Sequence, residues 1–174
     1  MGIQFETDYN METLTAMAKS LRKTVRRKRS RRVHIFAAVV LVLGILTILA
    51  TVSGGEPLGA SGVVTLLAML VVILVSLFED RLNAWFARKR LLPGTEHAAA
   101  TFEEDGYVSA TSMSESKFSY AQIVAVAETA RYFVFALSSH HTQAYDKRNI
   151  RGGSVEDFRA FIAEKTGKPV EEIK

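Results

Sequence analysis

His140 and His141 are the one adjacent pair of histidines in the chain, and so a candidate pair of metal ligands. Neighbouring side chains of an extended strand point to opposite faces, so only a turn could aim both at one ion. No third ligand is signposted, and Glu103-Glu104-Asp105 reads as a solvated turn. Ser138, Ser139, His140 and Asp146 hold the residue types of a hydrolytic triad, but no nucleophile elbow or glycine pattern surrounds them. Gly152-Gly153 ahead of Ser154 could present backbone N–H groups to an anion at a helix start; a flexible link into a capped helix is the simpler account. P-loop and dinucleotide fingerprints are missing. The chain has no cysteine, which excludes disulfides, thiolate nucleophiles, iron–sulfur clusters and cysteine-based zinc sites. The expectation is a protein without cofactor, metal or catalytic residues.

The charges are more informative. Lys19, Arg22, Lys23, Arg26, Arg27, Lys28, Arg29, Arg31 and Arg32 crowd one short run, so residues 1–32 carry nine Lys/Arg against three acids. Residues 91–174 carry nine against twelve, so the formal net charge of +4 reports a local run rather than a basic protein. Counterion release would favour phosphate binding by such a run, but it lacks interleaved aromatics and any reading motif, and no nucleic acid is expected. A topological role accounts for it better, because Lys/Arg beside a spanning segment stay on the cytoplasmic side. Arg88, Lys89 and Arg90 form a second flank, and Lys147, Arg148 and Arg151 a third group at a strand-to-helix corner. These three groups are the candidate contacts to anionic phospholipid head groups or to a partner protein.

The flanks bracket the stretch that organises the chain. Val33–Ser53 and Leu58–Phe78 are apolar runs without Asp, Glu, Lys or Arg. As helices each extends about 30 Å, enough to cross a hydrocarbon core, and a buried soluble helix rarely stays apolar on every face for that length. The connection Gly54–Gly59 carries only Glu56, so both ends of the hairpin are expected in the cytoplasm, with Trp85 and Phe86 at the interface. A cleaved signal peptide is the rival for the first run, but its apolar core is too long and a second run follows. Ala37, Gly44, Thr47 and Thr51, with Ser61, Thr65, Ala68 and Ser76, could allow close helix approach and interhelical hydrogen bonds, within one hairpin or between chains. No ionisable side chain lies inside either run apart from His34 at the start of the first, a poor basis for transport.

Around the hairpin lie the elements of a small domain. Ile3, Phe5 and Thr7 alternate with Gln4 and Glu6 as a short strand, which can add to the edge of the later sheet. Asp8 or Asn10 can cap a helix with the apolar stripe Met11, Leu14, Ala18, Leu21 and Val25. Two strands surround Glu104-Asp105-Gly106, a turn at Ser119–Gln122 leads into a strand from Ile123, Tyr132–Leu137 reads as a buried strand, and TQAYDKR returns after a turn at SSHH. Ser154 and Asp157 form a capping box for a helix that buries Val155, Phe158, Phe161 and Ile162, closed by Gly167 and Pro169.

AYDKRNIRGGSVEDFRAFIAEKTGK (Ala144–Lys168) resembles the Lys-Arg motif and closing helix of the YcxB-like family of small bacterial membrane proteins, and FSYAQI (Phe118–Ile123) resembles its aromatic-led segment. The likeness follows the whole chain in order; Asp146 stands where the family often has Pro, and Tyr120 where it often has Trp. It implies architecture without an activity: a pleckstrin-homology-like sheet for the C-terminal part. The expected organisation is an N-terminal strand and basic helix (1–32), a transmembrane α-helical hairpin (33–78), a basic linker (79–94) and a cytoplasmic α+β domain with an antiparallel sheet capped by a C-terminal helix (95–174). The expected function is a non-catalytic, inner-membrane-tethered interaction or regulatory module, in contact with the lipid bilayer and a protein partner or second copy. The alternatives are an anionic-lipid-sensing module, a membrane-bound enzyme or an oligomeric transport component.

Overall fold

The structure is a computed structural model and describes residues 2–174. It divides into two units, one of residues 28–82 and one in which residues up to 27 join residues 83–174.

The first unit holds most of α2 (Arg27–Ser53) and all of α3 (Ala60–Leu77), both long and apolar enough to cross a membrane. Their large side chains are mostly exposed, as in Phe36, Leu43, Leu49, Val64, Leu67 and Leu77. Exposure falls along one seam on each helix: Ala37, Leu41, Gly44, Ile48 and Thr51 on α2, and Gly62, Thr65, Met69, Val72 and Ser76 on α3. These steps of three and four mark the faces through which the helices meet. Gly44 is the close point, since a Cβ there would lie 2.7 Å from Met69 Sδ. Small residues on the seam thus serve packing within the hairpin. The expected interhelical hydrogen bonds are not what the hydroxyls make: Thr47, Thr51 and Thr65 each donate to the carbonyl four residues earlier on their own helix.

The second unit begins with β1 (Ile3–Asp8), whose inward residues are Ile3, Phe5 and Thr7. It pairs antiparallel with β2 (His97–Phe102) over its whole length, Ile3 opposite Phe102 and Asp8 opposite His97. β3 (Tyr107–Thr111) and β4 (Glu115–Phe118) complete a four-stranded sheet in the order β1-β2-β3-β4. The strand that precedes the apolar helices is therefore the edge of a sheet made after them, as its pattern predicts. A 3-10 turn at Tyr120–Gln122 redirects the chain, closed by a capping box between Ser119 and Gln122. A second sheet follows, β5 (Ala125–Glu128), β6 (Tyr132–Ala136) and β7 (Thr142–Asp146), so there are two sheets where the sequence suggests one. β8 (Val170–Glu172) joins β5 in parallel and has no counterpart in the sequence reading.

The space between the sheets is aromatic. Phe5 meets Phe102, Phe133, Tyr145 and Phe158, with ring centroids 4.6–6.5 Å apart. Edge-on pairs of this kind add to simple area burial. α5 (Val155–Thr166) inserts Phe158 and Ile162 into this core, while Val155 and Phe161 pack at its margin. α1 (Met11–Lys23), capped by Asn10, lies on the outer face of the second sheet, where Ala16 and Met17 cover Tyr132, Val134 and Ala144. The Thr13 hydroxyl fixes that docking, 2.6 Å from the Asp8 carbonyl and 3.1 Å from Tyr132 Oη. Two glycines are required by close approach. A Cβ on Gly106 would lie 2.5 Å from the Phe118 carbonyl oxygen, and Gly152, at φ +82°, would place one 2.5 Å from that of Gly2.

Candidate functional site

The three basic groups have different surroundings. Arg27, Lys28, Arg29, Arg31 and Arg32 are exposed on the first turns of α2, which starts six residues before the apolar run. The chain turns sharply ahead of them: α1 stops at Lys23 and Thr24 caps it by donating to the Ser20 carbonyl at 2.8 Å. Arg26 then donates from Nε to the Ser139 carbonyl at 2.6 Å, and its Nη2 lies 3.0 Å from His140 Nδ1. Lys23 Nζ reaches the Lys174 carbonyl at 3.0 Å, whereas Lys19 and Arg22 stay half-buried on α1. Arg88, Lys89 and Arg90 are exposed at the end of α4 (Glu79–Lys89) and just beyond it. Lys89 Nζ sits 3.6 Å from the Trp85 ring centre, a cation–π pair, and Trp85 itself meets Phe86 edge-on.

The corner group is paired internally. Lys147 Nζ bonds Glu128 at 2.9 Å, Arg148 Nη2 bonds Asp146 at 3.0 Å, and Arg151 lies 3.3 Å from Glu6. The strand expected over TQAYDKR ends at Asp146 because that carboxylate caps a 3-10 turn at Lys147–Asn149, accepting the Arg148 backbone N–H at 3.1 Å. Two residues outside the sequence reading complete the network. Arg131 joins buried Asp146 (2.9 Å) to Glu12 of α1, and Arg159 of α5 joins Glu128 (2.6 Å). The Arg159 hydrogen bond holds the Glu128 carboxyl below its ordinary value, against the opposing effect of burial, with Lys147 adding to the shift. Of the fifteen basic residues singled out by sequence, the exposed α2 and α4 flanks present open charge, and the corner trio ties elements together.

The residues whose types suggest catalysis or metal binding are separated. Ser138 Oγ accepts the backbone N–H groups of His140 and His141 at 3.1 and 3.0 Å, closing the turn between β6 and β7. Asp146 bonds arginines at the other end of β7. No three His, Asp or Glu side chains among the described residues are grouped as metal ligands would be. At the Gly152-Gly153 corner, Asp157 fills the position an anion would take, accepting from Ser154 N at 3.1 Å and Ser154 Oγ at 2.6 Å. Those bonds lower the Asp157 pKa.

The second unit also contains an open pocket of about 540 Å³ that sequence reasoning missed. It lies between inward-facing small residues of the first sheet, such as Ala98, Ser109 and Ser116, and the Thr142–Gln143 end of β7. Its only signal in the sequence is negative: where the neighbouring rows carry Phe102, Tyr107 and Phe118, these positions carry Ala and Ser.

No curated protein and no solved structure matches this chain. A family model described as YcxB-like protein matches residues 102–162, from the end of β2 through the second sheet into α5. That segment holds most of the aromatic core, both 3-10 turns and Asp146 with Arg131 and Arg148, and over it the chain is similar to that family.

Proposed function

We propose that this protein is a non-catalytic membrane-tethered module. Its apolar hairpin crosses the inner membrane, and its α+β unit, pleckstrin-homology-like in having two strand meanders capped by one helix, engages a partner in the cytoplasm. The observation that carries the reading is the full-length pairing of β1, before the hairpin, with β2, after it. A chain that enters and leaves the bilayer between two paired strands must do both on the same side. The exposed Arg27–Arg32 and Arg88–Arg90 flanks favour the cytoplasmic side for that face. They also support a second reading in which the module senses anionic lipid, since each Lys/Arg near an anionic surface contributes about 1 kcal/mol.

Extraction tests the tethering. The protein should stay in the membrane pellet through washes with alkaline carbonate and high salt, and enter solution only with detergent. Release by carbonate or salt would show peripheral attachment and overturn the reading.

A further inference from the structure

The pocket in the α+β unit is built for a ligand of definite chemistry. The two sheets are filled by aromatic rings next to α5, but two rows further along the inward positions are Ala98, Ser109, Thr111 and Ser116. The cavity left there, about 540 Å³, falls in the ordinary range for small-molecule sites. Gln143 forms part of its wall and is 7% exposed. Both buried tyrosines beside it donate to Oε1, Tyr107 at 2.7 Å and Tyr145 at 2.8 Å. Burial pushes both phenols above their ordinary pKa, so they remain donors at neutral pH.

The Gln143 side-chain nitrogen has no hydrogen-bond partner among the described residues, and neither have the hydroxyls of Ser109 and Ser116. That nitrogen opens onto the cavity, so an incoming acceptor oxygen can take its protons without displacing a protein partner. The remaining wall divides by character. Leu14, Met17, Leu91 and Leu92 are apolar; Arg90 supplies a fixed positive charge, His140 and His141 are close by, and no Asp or Glu lines the space among the described residues. A donor-rich, carboxylate-free wall facing an apolar one selects an anionic head on a hydrocarbon body.

We propose that this pocket binds one medium-chain carboxylate, its oxygens held by Gln143 and the serine hydroxyls and its hydrocarbon body lying against Leu14, Met17 and Leu91. The site belongs to the folded α+β unit alone and does not rest on membrane tethering. Equilibrium dialysis of radiolabelled decanoate against the purified full-length chain in lipid nanodiscs tests it, with protein-free nanodiscs as the blank. The expected result is saturable binding of one decanoate per chain and at least tenfold weaker binding of decanol, which lacks the carboxylate. Gln143→Leu should lose at least tenfold in affinity. Because that change also takes the acceptor from two tyrosines, Ser109→Leu/Ser116→Leu provides a second variant that fills the cavity and leaves those bonds in place, and it should abolish binding. No saturable binding above the blank, equal binding of decanol, or undiminished binding by the filled variant would overturn the assignment.

Discussion

Asp146 is 3% exposed and accepts from Arg131 and Arg148 side chains while capping its own 3-10 turn. Its replacement by Ala should cost about 1.5–3 kcal/mol, the scale of lost hydrogen bonds to a charged group, because Arg131, a quarter exposed, keeps Glu12 alone. Denaturant unfolding in detergent checks this, and a loss under 1 kcal/mol would show the network to be incidental. Glu128 gives a pH-dependent counterpart. Its folded pKa lies below the ordinary 4.5, so its stabilisation is complete above that value and fades as pH falls through the lower folded one. Glu128→Gln should therefore lower stability at pH 7 and flatten the acid limb of the melting-temperature profile below about pH 4.5. An acid limb parallel to that of the unmodified protein would count against the assignment. Local capping at this scale was legible in the chain: Ser154 and Asp157 are three residues apart, and the structure joins them. The pairs that matter more were not. Glu12 and Arg131 stand 119 residues apart, and no local pattern relates them.

At the scale of elements, periodicity was a sound guide where a face is buried. Alternation identified β1, and the continuous run at Tyr132–Leu137 identified β6, every residue of which is buried from Tyr132 to Ala136. β4 and β8 were missed because ESKF and VEE carry almost no apolar signal and are held by backbone pairing to their neighbours. β1 is integral to the core through Phe5, 1% exposed among four rings. Phe5→Ala should cost about 3–5 kcal/mol and open residues 98–137 to protease; unchanged digestion would mean that β1 is dispensable. Within the hairpin, the Gly44–Met69 approach sets an antiparallel register that places Ala37 opposite Ser76. In this cysteine-free chain, Ala37→Cys/Ser76→Cys should form a disulfide within one monomer, whereas Ala38→Cys/Ser76→Cys should not. Equal cross-linking of both pairs would refute the seam.

For the whole molecule, two apolar helices and an α+β unit, similar over residues 102–162 to the YcxB-like family, were both visible in the amino-acid order, since each depends on patterns within a few turns or strands. The pocket was not, because a cavity is what side chains leave unfilled once two sheets have packed. The division of labour among the basic groups also needed the fold. Lys147, Arg148 and Arg151 are engaged by Glu128, Asp146 and Glu6, so the proposed lipid contact falls to the flanks. Replacing Arg27, Lys28, Arg29, Arg31 and Arg32 with Gln should bring the anionic lipid that co-purifies down toward its bulk fraction. The same change at Lys147, Arg148 and Arg151 should lower stability and leave lipid composition as it was. The opposite pattern would place the lipid contact at the corner.

The central claim is that both ends of the hairpin return to one folded unit in the cytoplasm. Single cysteines at Glu56, exposed in the connection between α2 and α3, and at Lys174 can be compared in intact cells with a membrane-impermeant maleimide. The absence of native cysteine makes every labelled molecule unambiguous. Glu56→Cys should label fully from outside, and Lys174→Cys only after the membrane is permeabilised. Labelling of Lys174→Cys in intact cells, with Glu56→Cys protected, would contradict the account.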